Sequence, residues 1–201
     1  TQEPALSTQS GEVSLIKESD SKQTVVSASI KNNTYTLVEP LLTDEDKKLL
    51  TEVKKEVEGN PKILKDKMKT YKQLQKSAKK LKIALDEDND TTLMKLRYYL
   101  VRNILNLAQI EPLLHDEHIT KIICEGVNKP LTIIRNGQEL HTNVRLNHHE
   151  IINNLLLQIA KKTYQPLSID EPILDASYKN FHVQGTLGSD IVLAKFIISK
   201  E

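Results

Sequence analysis

The sequence predicts an α+β protein: a three-helix N-terminal subdomain followed by an antiparallel or mixed sheet with one or two packed helices. Three observations predict it. Apolar residues recur at helical spacing from Thr43 to about Ala108, in segments separated by capping and breaking residues. From Ile110 the texture changes to short β-rich runs divided by Gly, Pro and Asn. One amphipathic helix, near Asn147 to Lys162, interrupts those runs, which is the pattern of an α+β module.

Residues 1–34 are rich in Ser, Thr and Gln and poor in large apolar groups. Such a segment buries too little to offset its ordering entropy, so it reads as a mostly flexible leader. Val25, Val26 and Ile30 allow a short edge strand there. Asn32-Asn33-Thr34 and Asn89-Asp90-Thr91 fit the glycosylation sequon and read as chance matches, since no signal peptide precedes them. Tyr35 to Val38 alternates weakly and stops at Pro40, a short strand at the head of a helical subdomain spanning 35–109. Thr43 caps the first helix, with Asp44, Glu45 and Asp46 in the turn where the helix dipole favours negative charge. Leu49, Leu50, Val53 and Val57 form its apolar face, and Gly59 ends it.

Asn60-Pro61 opens a second helix, expected over 61–85, with Pro at the first helical position. Its stripe is Leu64, Met68, Tyr71, Ala78, Leu81 and Leu85, interrupted between Tyr71 and Ala78. Lysines 62, 65, 67, 69, 72, 76, 79, 80 and 82 fill the other positions against a single acid, Asp66. The plain reading is a solvated face of a bundle helix. The sharper reading is a partner-binding surface at Lys65, Lys69, Lys72, Lys76, Lys79 and Lys80 for phosphate backbone, anionic lipid or an acidic protein. Only Tyr71 offers a stacking ring and no Arg is present, which argues against nucleic-acid recognition. The acidic run 86–90 reads as a loop. A third helix, 92–108, carries Leu93, Leu96, Leu100, Ile104 and Leu107 on one face.

Past Ile110, in the α+β module 110–201, Glu111-Pro112 starts a short helix to about Glu117. Lys121 to Cys124 is a strand closed by Gly126. Leu131 to Arg135 and Glu139 to Thr142 flank Asn136-Gly137, a strong hairpin signal. Asn147, with Glu150 three residues on, reads as a helix cap. Strands are expected at 173–178, 181–187 and 191–198.

Composition narrows the function classes. A chain of 201 residues can bury a real core, and a net charge of +1 gives no global drive toward nucleic acid or membrane. One cysteine, Cys124, excludes an internal disulfide framework and a Cys-based zinc cluster, and makes a reducing cytosol the simplest compartment. No run of 18 apolar residues predicts a membrane-spanning helix. The start lacks an initiator Met, which reads as a processed or trimmed piece. None of the glycines begins a Gly-x4-Gly-Lys-Ser/Thr phosphate loop. Cys124 sits in an expected strand, the setting of an inert buried thiol and not of a nucleophile. The six histidines, 115, 118, 141, 148, 149 and 182, contain no trio at metal-site spacing. Asp170, Glu171 and Asp175 read as loop acids.

The stretch from Leu96 to Pro130 carries a more specific pattern: Tyr98-Tyr99-Leu100-x-Arg102, then Ile110-x-Pro112-Leu113-Leu114-x-Asp116-x-x-Ile119, then Gly126 and Pro130. It resembles the N-terminal domain of archaeal type II/type IV secretion ATPases, the motors of type IV pili, archaella and related systems. The likeness extends to Ile169-Asp170-Glu171-Pro172-Ile173-Leu174-Asp175 with Lys179 to Val183, and to Phe196 to Glu201. Two family arginines are replaced, by His182 and Ser199.

The resemblance implies a cytoplasmic hexamer peripheral to the inner face of the membrane, with a motor domain following in the same polypeptide. ATP and Mg would belong to that motor and no cofactor to this chain. It implies a polytopic membrane platform protein as partner, with anionic lipid as a further one. Arg145, Lys179, His182 and Lys195 are the candidates to face the motor cleft and its nucleotide. Tyr98, Tyr99, Arg102, Pro112 and Asp116 read as determinants of packing. Two other classes stay open at this point: a free-standing adaptor using the basic helix on anionic lipid or nucleic acid, and a small enzyme with a histidine-based site.

Overall fold

The computed structural model describes residues 11–17, 24–85, 90–189 and 191–201. The described residues form an α+β fold with a nine-stranded mixed sheet. They divide into two compact units, one of 11–15, 27–38 and 112–201, the other of 16–17, 24–26, 39–85 and 90–111.

The sheet runs in the order β1-β2-β3-β6-β5-β4-β9-β8-β7. Its strands are β1 (Gly11–Lys17), β2 (Thr24–Lys31), β3 (Thr34–Val38), β4 (Ile119–Cys124), β5 (Pro130–Arg135), β6 (Gln138–Arg145), β7 (Ile173–Tyr178), β8 (Phe181–Thr186) and β9 (Lys195–Lys200). β3 meets β6 in parallel, with Tyr35 opposite Thr142, while the pairs from β6 through β7 are antiparallel.

Two tight turns explain much of the register. Asn136 and Gly137, at φ 50° and 77°, close the β5–β6 hairpin. Asn32 and Asn33, at φ 49° and 60°, close β2 onto β3. Asn tolerates the left-handed region because its short polar side chain bonds locally. Helix α5 (His149–Thr163) lays Ile152, Leu155, Leu156 and Ile159 against β7 and β8, where Leu174, Ala176 and Val183 are buried.

The second unit is helical. Helix α1 (Asp44–Val57) begins with a complete capping box between Thr43 and Asp46. One tight turn at Pro61–Lys65 precedes α2 (Lys67–Leu81), and α3 (Asp90–Leu100) continues into a wider turn at Val101–Leu105. Leu49, Val53, Leu64, Leu74, Leu96 and Leu100 anchor one apolar core. Full burial of each contributes roughly 1.5–3 kcal/mol. The chain leaves the helical unit through a short turn, Ala108–Ile110, and α4 (Glu111–Leu114).

Several expectations are corrected. The leader expected over 1–34 contains β1 and β2; its residues 1–10 and 18–23 lie outside the described residues. β2 is the short strand that Val25, Val26 and Ile30 allow, with Val26 and Ala28 inward, but it lies between β1 and β3 and not at an edge. Thr34–Val38 belongs to the sheet and not to a helical subdomain. The single helix expected over 61–85 is split at Asp66, which is extended (φ −95°, ψ 118°) and caps α2 through the Lys69 amide. Leu74 joins the core, in step with Tyr71 and Ala78 on the buried face of α2, while Met68 and Leu81 are exposed.

Further along, the acidic loop expected at 86–90 lies outside the described residues except Asp90, which begins α3. The third helix gives way after Leu100, and α4 ends at Leu114, not Glu117. His148, not Asn147, occupies the cap of α5 and makes no side-chain capping bond. The strand expected over 191–198 runs instead from Lys195 to Lys200, leaving Ile191 to Ala194 irregular.

Candidate functional site

In an antiparallel pair, residues directly opposite one another share a face. One row across four strands is Leu174, Gly185, Phe196 and Cys124, and its neighbour is Ala176, Val183, Ile198 and Ile122. Both rows lie on the α5 side. A Cβ placed on Gly185 would come within 2.5 Å of Leu156 Cδ2, which fixes that side. The alternate rows make an open face: Ile173, Thr186 and Lys195; Asp175, Gln184, Ile197 and Ile123; Ser177, His182, Ser199 and Lys121.

A concavity of about 540 Å³ lies on this open face at the end of the strands where β7 and β9 begin. Ile123, Ile173 and Ile197 supply its apolar walls, and Glu125, Lys129 and Lys195 stand on its rim. That volume matches pockets taking a ligand-sized group, roughly 300–1,000 Å³. Burial pushes the Cys124 thiol up, so it stays protonated and a poor nucleophile. Among the described residues no group of three His, Cys, Asp or Glu side chains is placed to hold a metal ion.

The four cleft candidates are not brought together. Lys195 lines the concavity. His182 is on the same face, its Nε2 3.3 Å from Asp175 Oδ1 and its Nδ1 4.0 Å from Glu201 Oε1. Arg145 closes β6 opposite Pro130 and donates to the Asn128 carbonyl at 2.6 Å. Lys179 lies in the β7–β8 turn at φ 57°, its ammonium 5.3 Å from the Tyr178 ring centre. That turn is at the far end of β8 from the Thr186–Lys195 pair, and six residues of strand span about 20 Å.

The lysines of α2 do form one surface. Lys69, Lys72, Lys76 and Lys79 recur at steps of three and four, all exposed and opposite the buried Thr70, Tyr71, Leu74, Ser77 and Ala78, while Lys65, also exposed, ends the tight turn before α2. Lys80 flanks them and pairs with Glu52, and with Glu56 at 3.3 Å; Lys69 meets Asp66 at 3.6 Å. Exposed pairs of this kind contribute about 0–1 kcal/mol. The ridge therefore remains solvated and cationic.

The residues carrying the sequence pattern are interior anchors. Asp116 accepts hydrogen bonds from Tyr35 Oη at 3.0 Å, Arg135 Nε at 2.9 Å and the His118 amide at 3.0 Å. Burial, then the Asp116 charge, pushes the Tyr35 hydroxyl far above its ordinary range. In the helical unit, Glu39 accepts from the Tyr98 hydroxyl and the Arg102 guanidinium. Arg102 lies 4.8 Å from the Tyr99 ring centre, and Tyr99 Oη donates to the Pro40 carbonyl at 2.6 Å. Burial and the Glu39 charge push the Tyr99 hydroxyl up to about 12.

No family model matches the chain. It is 30% identical over 170 residues to an uncharacterized protein of Methanocaldococcus jannaschii, the match covering 80% of this chain and 66% of that protein. The chain therefore spans just under two thirds of that relative. Among solved structures, the VirB11 ATPase of the Brucella suis type IV secretion system, in complex with sulphate, aligns at a TM-score of 0.40. The likeness to that secretion ATPase is weak. It covers 46% of this chain and 28% of the other at 18% identity.

Sequence reasoning missed the concavity and its walls. Ile123, Ile173 and Ile197 belong to three separate strands, and only the strand order joins them. Asn153, which holds the loop beside the concavity, gives no signal in a helix-period segment.

Proposed function

We propose that the chain is the assembly and regulatory domain of an ATP-driven secretion or pilus motor, with no catalytic group of its own. The observation that carries this reading is the coincidence of pattern and anchor. Tyr98, Tyr99, Arg102 and Asp116, which carry the resemblance to archaeal secretion ATPases, also hold a buried polar node at Asp116 and a part-buried one at Glu39. A sequence pattern built on interior anchors marks a fold. An active site would place such residues in a cleft instead.

In this reading ATP and Mg bind a motor domain of the parent polypeptide, and the parent is a hexamer working in the cytoplasm against the inner face of the membrane. Its movements act on a polytopic platform protein. Arg145 and Lys195 share one end of the sheet, the end proposed to face the motor, with His182 further along the open face. His182 and Ser199 stand where the family has arginines, so phosphate contact falls to the motor domain. The lysine ridge of α2 suits the platform protein or anionic headgroups. No helix among the described residues is long and apolar enough to cross a membrane, so contact there is peripheral in this scheme.

The test is the ATP hydrolysis rate of the natural full-length polypeptide carrying Arg145→Ala with Lys195→Ala. The reading expects a changed rate with unchanged folding. An unchanged rate removes these two residues from it.

The exposed lysine ridge favours one second reading, an adaptor that binds anionic lipid by itself. Salt-steep binding to acidic vesicles by a natural chain ending at Glu201, without any ATPase partner, would establish that reading instead.

A further inference from the structure

Strand β7 ends the sheet order, with no strand beyond it among the described residues. Its ladder to β8 runs through six consecutive pairs without a bulge. The Leu187 amide donates to the Pro172 carbonyl at 2.8 Å, in step with that ladder. Backbone direction alternates along an antiparallel strand, so Leu174, Ala176 and Tyr178 also turn their amides and carbonyls toward β8. Ile173, Asp175 and Ser177 turn theirs outward, away from the sheet. Natural edge strands are blunted by lysine, proline, a bulge or a covering segment. The β7 sequence, Ile-Leu-Asp-Ala-Ser-Tyr, contains neither lysine nor proline. Such an edge is a template for a further strand.

The side chains of the three outward residues lie on the open face, where Ile173 and Asp175 line the concavity. Ile173 is 72% exposed and the Asp175 side chain 59%. The Asp175 row holds no cation, its other members being Gln184, Ile197 and Ile123. A second acid, Glu201, accepts from the Ser177 hydroxyl at 2.5 Å. The edge is therefore apolar at Ile173 and acidic beyond it. Two copies of the chain match this edge poorly. The antiparallel register that pairs all three outward residues of one copy with those of another sets Ile173 against Ser177 and Asp175 against Asp175. Like charges directly opposite are destabilising, and a lysine or arginine opposite Asp175 reverses the sign.

We propose that β7 docks an extended segment of another protein, which adds to the sheet with a basic residue opposite Asp175 and an apolar one opposite Ile173. Side chains on a strand alternate between faces, so these two partner residues are two positions apart. Main-chain hydrogen bonds of the added strand supply affinity, and its alternate side chains supply the choice of partner. The apolar side chain reaches the concavity, whose other walls are Ile123 and Ile197. The partner is thus recognised as an extended segment of the pattern apolar-x-basic. Nothing in this contact needs the motor domain or the lysine ridge.

The probe is the synthetic peptide acetyl-Thr-Val-Thr-Lys-Thr-Val-Thr-amide, titrated to about 1 mM into the isotopically labelled 201-residue chain and followed by NMR. Saturable binding is expected, with hydrogen exchange at the Asp175 and Ser177 amides slowed at least about tenfold. A peptide with Glu in place of Lys should bind at least about threefold more weakly. The Asp175→Lys chain, its folding confirmed by circular dichroism, should reverse that preference. Only one side of an added strand bonds β7. Methylating one alternate set of peptide amides should therefore abolish binding, and methylating the other set should spare it. Absence of binding up to that concentration overturns the proposal. So does equal binding by the two methylated peptides, or an unchanged preference in the Asp175→Lys chain. Exchange already slow at Asp175 and Ser177 in the chain alone means that the chain or a second copy covers the edge, which overturns it too. None of these results touches the ATP hydrolysis experiment, so this contact and the assembly reading fail separately.

Discussion

Asp116 and Arg135 form an ion pair at 2.9 Å with side-chain exposures of 1% and 9%. One stands just before β4 and the other ends β5, and Tyr35 of β3 donates to the same carboxylate. This node ties three strands together across non-sequential positions. Removing one member strands a buried charge, so Arg135→Met should cost about 3–5 kcal/mol. Tyr35→Phe removes one charge-assisted hydrogen bond and should cost about 1.5–3 kcal/mol. Urea midpoints measure both. Equal, small losses would mean that the node is hydrated in solution.

The cap of α1 predicts an acid response. The Asp46 carboxyl is pushed up by burial, but hydrogen bonds from Lys95 at 2.6 Å and the Thr43 amide at 2.8 Å outweigh this and hold it below the ordinary 3.8. A depressed folded value contributes stability above the unfolded value, and that contribution is lost as pH falls through the folded one. Stability should therefore decline below about pH 4, and Asp46→Asn should flatten that decline while costing roughly 0.5–2 kcal/mol at neutral pH. Thermal midpoints from pH 2 to 7 decide it; an identical acid limb in the variant contradicts the assignment.

Gly185 and Gly188 should respond differently to alanine. At Gly185 the new methyl meets the tip of Leu156 at 2.5 Å, which can swing aside. At Gly188 it meets the Cβ and backbone N of Ala194, both at 2.7 Å, and the backbone there has no such freedom. Overpacking costs about 1–3 kcal/mol, and Gly188→Ala should sit at the upper end and Gly185→Ala below it. Chemical denaturation of the two variants gives the order directly, and the reverse order refutes the account of the loop neck.

The lysine ridge makes a prediction about salt. Flotation with vesicles rich in anionic phospholipid should recover the chain at low ionic strength and lose it as salt rises, since about 1 kcal/mol per lysine acts only within a Debye length. Lys65→Glu with Lys72→Glu and Lys76→Glu should abolish recovery. Persistent binding by that variant assigns the contact to another surface.

The sequence and the fold meet at particular residues. Thr43, Asn136-Gly137 and the α5 periodicity were legible because each acts within a few residues of itself. The same holds for the change of texture at Ile110. The failures are of two kinds. Asn32-Asn33 read only as part of a chance sequon match, with no turn expected, yet its two left-handed residues close β2 onto β3. Ile191 to Leu193 looked like strand because β-branched residues carry β propensity, but the paired strand begins only at Lys195. The concavity had no local signature at all, since its walls are assembled by strand order. The spread of Arg145, Lys179, His182 and Lys195 was equally hidden, since only strand order puts Lys179 at the other end of β8 from Lys195.

The central claim is that this chain regulates a motor and does not itself catalyse. It is tested most directly by ATP hydrolysis of the natural polypeptide, captured from its own cells with an antibody raised against these 201 residues. The account predicts a captured polypeptide heavier than 22.8 kDa that hydrolyses ATP, while the isolated chain at equal concentration does not. A captured polypeptide of the same mass with no hydrolysis, or hydrolysis by the isolated chain, would contradict it.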